Sequence, residues 1–234
     1  MYKRVLLKIS GEQLSGKHEI GIDPEVGHYL ARECQKVAQA GIQLVLVVGG
    51  GNMVRGAEIA GHGIKRVTGD QMGMLSGLIN AMALTDVFES NGVKTRCMTN
   101  IFAPQVAESY SARLAEKHLD RSRVVMISGG IGRPYFTHDT AAVNLALELS
   151  CDVVLKATKV DGVYDKDPKK FDDAKLLEKI AYQEALRNEA IKVMDKAAVG
   201  LAMEQGMPVI VFDPLKEDNI LKVAKGEAVG SHIS

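Results

Sequence analysis

Hydrophobic and polar positions along the chain fall into two alternating rhythms. Runs rich in Val, Leu and Ile at 4–10, 44–51, 93–98, 124–130, 152–157 and 208–212 are nearly continuous in apolar residues. Continuity rather than alternation predicts parallel strands covered on both faces. Between them, 24–40, 70–90, 104–118, 139–149, 182–188, 195–205 and 217–224 carry apolar residues at helical spacing. Asp23 before Pro24 and Asp139 before a run of alanines read as helix starts. Gly41, Asn91-Gly92 and Gly206 read as stops. The βαβα order predicts an α/β fold, a three-layer αβα sandwich around a central, mostly parallel sheet. No repeat or Pro/Ser-rich linker interrupts it, so the reading is one domain over 1–234 with a soft division near residue 150.

Composition narrows the function classes. The chain has 234 residues, 46% hydrophobic and 25% charged, with 29 basic against 29 acidic side chains. That is a folded globular composition with no global charge to attract nucleic acid or an acidic membrane. Cys34, Cys97 and Cys151 are widely spaced and odd in number, which argues against a disulfide framework and for a reducing compartment. The histidines form no metal-ligand pair, so no protein metal cage is expected. The first residues, MYKRVLLKISGE, lack a signal-peptide pattern, and no run is long enough to span a bilayer. A cytoplasmic protein is expected.

Glycine, at 23 residues, is over-represented, and its placement is informative. Gly11 to Lys17 matches the spacing of a phosphate-binding P-loop, but His18 stands where that loop needs Ser or Thr for magnesium. Gly21 and Pro24 then fall where its helix should continue, so this segment reads as a plain connecting loop. Lys8 interrupts an apolar strand just before Ser10-Gly11. It either snorkels from an edge strand or awaits a phosphate beyond the strand's carboxyl end. The Gly49-Gly50-Gly51 run after the second strand lets backbone amides converge on an anion, with a helix expected near Asn52 and Arg55 close enough to clamp a phosphate. A second glycine-rich strand end holds Gly129, Gly130 and Gly132, followed by Pro134, Tyr135 and Phe136, with Thr137 or Asp139 as a cap. Two such ends in one sheet suggest two anionic moieties and hence phosphoryl transfer. Asp70 reads as an N-cap or as a carboxylate for a ribose. Lys156 and Lys159 lie at another strand end, ahead of Tyr164, Asp165 and Asp167, a stretch that reads either as a solvated loop or as a nucleotide contact. Asp195 reads as an N-cap that, near two lysines, could also orient them by ion pairing.

KISGE (8–12), GGGNMVRG (49–56), GDQMGML (69–75), PYFTHDTAA (134–142), LKATKVDGVYDKDP (155–168) and VMD (193–195) occur in this order. In these motifs, from about residue 3 to a closing GSHI near 231, the chain resembles the bacterial uridylate kinases of the amino acid kinase superfamily. The resemblance implies ATP-dependent conversion of UMP to UDP, with Mg2+ carried by the nucleotide. It implies an acceptor lobe at about 1–150 and an ATP lobe at about 151–234. Carried over by position, Lys8, Ile9, Ser10, Gly11, Gly51, Arg55, Thr158, Tyr164 and Asp167 line ATP. Gly50, Asp70, Ile131, Gly132, Arg133, Pro134, Tyr135, Phe136, Thr137 and His138 line UMP. Lys8, Arg55, Lys156, Lys159 and Asp195 form the implied catalytic set. Gly16, Lys17, His18, Glu19, Ile20 and Gly21 fall where such enzymes often sense GTP. GTP and UTP are thus candidate effectors, and a homohexamer is the implied assembly.

Arg133 and His138 depart from the family, which usually has Asn and Thr at these positions. With an ordinary pKa of about 6.5, His138 is expected to make UMP affinity pH-dependent between roughly 5.5 and 7.5. Two rival readings remain at this point. One is a sister kinase acting on a carboxylate or carbamate; the other is a non-catalytic nucleotide- or oxyanion-binding protein of the same fold.

Overall fold

The computed structural model describes every residue of 1–234 except 60–62, 167, 169, 189, 190, 192 and 193. Its strands are β1 (Arg4–Ile9), β2 (Gln43–Val48), β3 (Thr95–Thr99), β4 (Glu108–Ser109), β5 (Val124–Ser128), β6 (Val153–Ala157), β7 (Lys179–Ile180), β8 (Val209–Phe212) and β9 (Ser231–Ile233). The helices are α1 (Gly11–Leu14), α2 (Pro24–Gln39), α3 (Gly56–Ile59), α4 (Arg66–Ser90), α5 (Ala112–Leu119), α6 (His138–Glu148), α7 (Tyr182–Arg187), α8 (Lys196–Gln205) and α9 (Asn219–Lys225). Among the described residues the strands form one sheet in the order β4-β3-β5-β2-β1-β6-β8-β9-β7. Every pairing is parallel except β8 with β9. β6 pairs directly with β1, so 1–150 and 151–234 share this sheet.

Side chains alternate across each strand and feed two cores. Val5, Leu7 and Ile9 of β1 pack with Leu30 and Val37 of α2, Leu84 and Phe88 of α4, and Val223 of α9. Leu6 points the other way, into a core with Leu119 of α5, Val143 of α6, Tyr182 of α7 and Val199 of α8. This burial on both faces is why the strands read as continuous apolar runs.

Helix ends follow local chemistry. Asp23 caps α2 by accepting from the Glu25 N–H at 3.0 Å, with Pro24 in the first turn. Gly206 and Gly226 end α8 and α9 in the left-handed conformation.

Three expected elements differ. The helix expected at 104–118 is split into the short edge strand β4 and the shorter α5, because Ser111 caps α5 and starts it late. The helix expected near Asn52 begins at Gly56, since residues 51–53 are spent on a turn. α4 begins at Arg66 rather than 70, so Asp70 lies inside the helix and is not its N-cap. Among the described residues, no helix is long and apolar enough to cross a membrane.

Candidate active site

Register places two lysines side by side. Lys8 of β1 and Lys156 of β6 are direct partners in the parallel ladder. Both share the face of Leu6 and Val154, beneath α6 and α8. Neighbouring like charges repel unless an anion lies between them. Asp139, in the first turn of α6, is that anion. Its Oδ1 lies 2.8 Å from Lys8 Nζ and its Oδ2 2.6 Å from Lys156 Nζ. Burial pushes the Asp139 carboxyl up, but the two ammonium charges outweigh it and hold its pKa at about 2. Burial also lowers the Lys156 pKa, against the pull of Asp139. A lysine carrying its charge at low solvation responds strongly to an incoming anion.

Two helix N-termini converge beside these lysines. Thr137 caps α6, accepting from the Asp139 and Thr140 N–H groups at 3.0 and 3.3 Å. Asp195 caps α8, accepting from the Ala198 N–H at 3.0 Å. The caps are joined: Thr137 Oγ1 donates to Asp195 at 2.5 Å, and Thr140 Oγ1 lies 3.0 Å from the other carboxylate oxygen. Among the described residues no direct ion pair joins Asp195 to Lys8 or Lys156, although its charge still favours the charged form of Lys156. Asp195 is engaged by threonines and backbone, and Asp139 takes the lysine-pairing role. The α6 and α8 dipoles add positive potential to that of the lysines.

Opposite stands the glycine-rich turn after β2. A Cβ on Gly50 would lie 2.5 Å from the Gly73 carbonyl and 2.6 Å from Ser76 Cβ, so only glycine lets this turn lie flush on α4. A Cβ on Gly11 would meet Asn52 Oδ1 at 2.4 Å and the Gly51 N at 2.6 Å, which brings the end of β1 against the same turn. A cleft of about 240 Å³ lies between, lined by Lys8, Ser10, Gly11, Gly49–Gly51, Thr137, His138, Asp139 and Asp195, with Glu12 at its rim.

A second cleft of about 410 Å³ adjoins it, lined by Arg55, Arg66, Asp70, Gly73, Met74 and Phe136. The two share Glu12, Gly50, Gly51, Thr137 and His138 as a common wall. In the second cleft Asp70 accepts from the Tyr135 N–H at 2.8 Å and from Arg66 Nε at 2.7 Å, while Arg66 stacks over the Tyr135 ring. Tyr135 has a φ of 68°, a left-handed conformation that costs energy in a non-glycine residue and is held here by that bond. The exposed Phe136 offers a ring to this cleft, and Arg133 is exposed nearby. Arg55 borders the cleft in ion pairs with Glu12 and, at 2.9 Å, Glu58.

His138 lies in the shared wall with its Nε2 buried and, among the described residues, without a hydrogen-bond partner. Burial, with the nearby Lys8 charge, pushes its pKa down to about 4 despite Asp139. The expected protonation between pH 5.5 and 7.5 is thus overturned: the imidazole is neutral across that range.

The remaining sequence candidates lie apart from the lysine pair. Residues 16–21 follow α1, which ends at Leu14, and no helix starts from Lys17, so the P-loop spacing is coincidental. This segment lines a third cavity of about 540 Å³ with Met53, Ile59, Ile64, Met72 and the exposed Lys159. Thr158 Oγ1 donates to the Val160 carbonyl at 2.7 Å, and the Thr158 N–H to Phe212 at 2.9 Å, fixing the turn after β6. Tyr164 bridges to Leu176. Asp167 lies outside the described residues. Among the described residues, no three His, Cys, Asp or Glu side chains converge as metal ligands. Sequence reasoning saw Asp139 only as a cap. Its one signal was an acidic residue in the first turn after a glycine-rich strand end, which says nothing of the lysines it meets.

Comparison with known proteins places the whole chain. Residues 3–213 match the model of the amino acid kinase family. A UMP kinase from Bacillus anthracis superimposes with a TM-score of 0.94 at 36% identity, over all of this chain and 96% of that one. A UMP kinase from Ureaplasma parvum gives 0.91 at 30% identity, covering 100% and 99%. A uridylate kinase from Archaeoglobus fulgidus gives 0.77 at 28% identity, covering 98% and 99%.

Proposed function

The chain belongs to the amino acid kinase family, and from that premise we propose that it transfers the γ-phosphoryl group of ATP to UMP, giving ADP and UDP. The observation that carries the reading is the pair of clefts meeting at Gly50–Gly51, one walled by Lys8 and the α6 and α8 N-termini, the other ending at Asp70. Phosphoryl transfer asks mainly for alignment and for neutralising charge on the moving group. Lys8 and Lys156 offset that charge together with the helix ends and the glycine amides, while Asp139 holds the two ammonium groups in place. Asp195 fixes the two helix starts against each other. UMP's phosphate oxygen is already anionic near neutral pH, so no general base is needed. The oxygen of UMP attacks the γ-phosphorus, the bond to the β-bridging oxygen breaks, and ADP leaves with that electron pair.

The finer assignments are part of the same proposal. Asp70 faces the UMP ribose, residues 131–138 surround the acceptor, and Arg55 meets the transferring phosphates. Lys8–Gly11, Thr158, Tyr164 and Asp167 attend ATP, whose lobe is 151–234. Lys159 is exposed and does not line the Lys8 cleft, which favours Lys156 over it as the second lysine at the moving group. Mg2+ would arrive on ATP, as phosphoryl transfer from a nucleotide requires. When bound it neutralises phosphate oxygens. GTP and UTP remain candidate effectors, with 16–21 as the responding segment. A cytoplasmic role in pyrimidine nucleotide synthesis fits this activity. Assembly into a homo-oligomer, with a hexamer as the expected form, is supported by α4, which buries Leu78, Leu84 and Phe88 yet exposes Val67, Leu75, Ile79 and Met82.

An ADP-release assay with ATP and Mg2+ tests the activity, using UMP, CMP and aspartate as acceptors. Release with UMP well above the other two is expected. Preference for aspartate, or no release with any acceptor, would overturn the proposal.

A further inference from the structure

Between the glycine-rich turn and α4 lies a closed pair of side-chain amides. Asn52 Nδ2 donates to Asn80 Oδ1 at 3.0 Å, and Asn80 Nδ2 donates back to Asn52 Oδ1 at 2.7 Å. Each nitrogen has one hydrogen left. Asn80 gives its second to the Gly49 carbonyl at 2.7 Å, and Asn52 gives its second to the Gly21 carbonyl at 2.6 Å. All four amide hydrogens are thereby used, as burial requires: Asn80 is 0% exposed and Asn52 4%. The Gly21 N–H adds a backbone bond to the Asn52 carbonyl at 3.2 Å. The pair therefore ties together the 49–52 turn, the middle of α4 and the end of the 15–21 bend.

The turn needs such support. Three consecutive glycines give the backbone freedom to aim N–H groups at an anion, and the same freedom lets those groups wander. Packing holds the turn where Gly50 lies against Gly73, Ser76 and Gly77 of α4 and where Gly11, at the end of β1, abuts Gly51, but close contact alone sets no hydrogen-bond direction between the turn and the helix. The amide pair fixes it along the helix axis, by hydrogen bonds with definite direction. Asp70 sits on this helix too, so one rigid element sets the distance from the turn to the far end of the second cleft. Asn52 Oδ1 also abuts Gly11, just beyond Lys8.

We propose that Asn52 and Asn80 are positioning residues whose reciprocal amide pair sets the Gly49–Gly51 turn on α4 at the register phosphoryl transfer requires. The inference rests on the UMP kinase reading above. Neither side chain lines the Lys8 cleft or the Asp70 cleft, and Asn52 borders only the third cavity, so the pair acts on these two clefts through the turn.

The test is steady-state kinetics with ATP and UMP on Asn52→Ala, Asn80→Ala, Asn80→Asp and the double alanine variant, with thermal unfolding measured alongside. Misplacing a reacting group by about 1 Å can cost on the order of 10²-fold in rate, so each single variant is expected to lose roughly 10- to 100-fold in kcat. KM for both nucleotides should change far less, the mark of an interaction felt in the transition state. The double variant should be no slower than the worse single one, because the two amides act as a unit. Asn80→Asp, which keeps the shape and removes both donors, should be as slow as Asn80→Ala. Wild-type kcat in folded Asn52→Ala or Asn80→Ala would overturn the inference, even with a lowered Tm. Multiplying losses in the double variant, or an Asn80→Asp enzyme at wild-type speed, would do the same. If Asn80→Ala does not fold, Asn52→Ala decides by the same kinetic criterion. Failure of the wild type to phosphorylate UMP would remove the activity and the inference together, whereas an active wild type with unchanged variants removes the inference alone.

Discussion

Lys8 and Lys156 are register partners on adjacent parallel strands, and the carboxylate of Asp139 lies within 2.8 Å of the first and 2.6 Å of the second. The single carboxylate offsets only one of the two ammonium charges, so the triad keeps a net positive charge that favours an anion. Lys8→Ala should lower kcat roughly 10²–10³-fold, the scale of one lost electrostatic donor at a developing charge. Asp139 keeps Lys156 as a partner, so the fold should survive. Near-normal turnover in that variant would remove Lys8 from the mechanism.

Asp139→Asn leaves two neighbouring ammonium groups without their counter-ion. Breaking a buried pair in this way costs about 3–5 kcal/mol, read as a lower denaturation midpoint. The sign with pH follows from a folded pKa of about 2, below the ordinary carboxyl value. The stabilisation is complete above about pH 4 and is lost as pH falls through about 2. The stability gap between wild type and Asp139→Asn should therefore close over that interval, and chemical denaturation at stepped pH measures it.

His138 should not govern UMP binding near neutrality. Profiles of UMP Kd against pH for wild type and His138→Thr are expected to superimpose between 5.5 and 7.5. The histidine should instead appear in stability. Its folded pKa of about 4 lies below the ordinary 6.5, so the unfolded chain takes up the proton first. Its neutral burial is favourable above about pH 6.5, and that advantage is lost as pH falls towards about 4. A Tm difference between the two proteins that stays constant over this range would contradict the placement.

Asp70→Asn should raise KM for UMP well above any change in KM for ATP. The carboxylate closes the second cleft and holds Tyr135 in its left-handed turn through the 2.8 Å bond. Equal effects on both nucleotides, or a loss of Tm with intact kinetics, would instead mark Asp70 as a purely structural anchor of the 131–136 loop.

Gly50→Ala should abolish most activity while the chain still folds. The added methyl would overlap the Gly73 carbonyl and Ser76, and the turn must lift from α4 to accommodate it. Gly200→Ala in α8 is the control, because its Cβ meets nothing within 4 Å and the residue lines neither cleft. Circular dichroism and kcat measured on both variants separate misplacement of the turn from misfolding.

The sequence by itself determined the layers, the parallel sheet and the loops that carry the chemistry. Short β-branched apolar runs such as 44–48, closed by glycines, fit strands buried on both faces, and a glycine triplet after them marks backbone free to approach a ligand, because both signals are local. The helix at 104–118 was misread for a related reason: its apolar spacing continued across Ser111, whose capping bond acts at a distance of three residues and outweighs the pattern. What pairs with what was decided only by tertiary structure. Nothing near Asp139 in the chain announces two lysines, since the β1–β6 register that joins Lys8 to Lys156 is set by strand order across the whole sheet. Asp195 bonds Thr137 and Thr140 because the starts of α6 and α8 meet in space. Burial and the Lys8 charge push the His138 pKa down through space, and a sequence lists neither. The Asn52–Asn80 pair was equally illegible, since two amides some distance apart in the chain become a single clasp only when α4 is laid along the glycine turn.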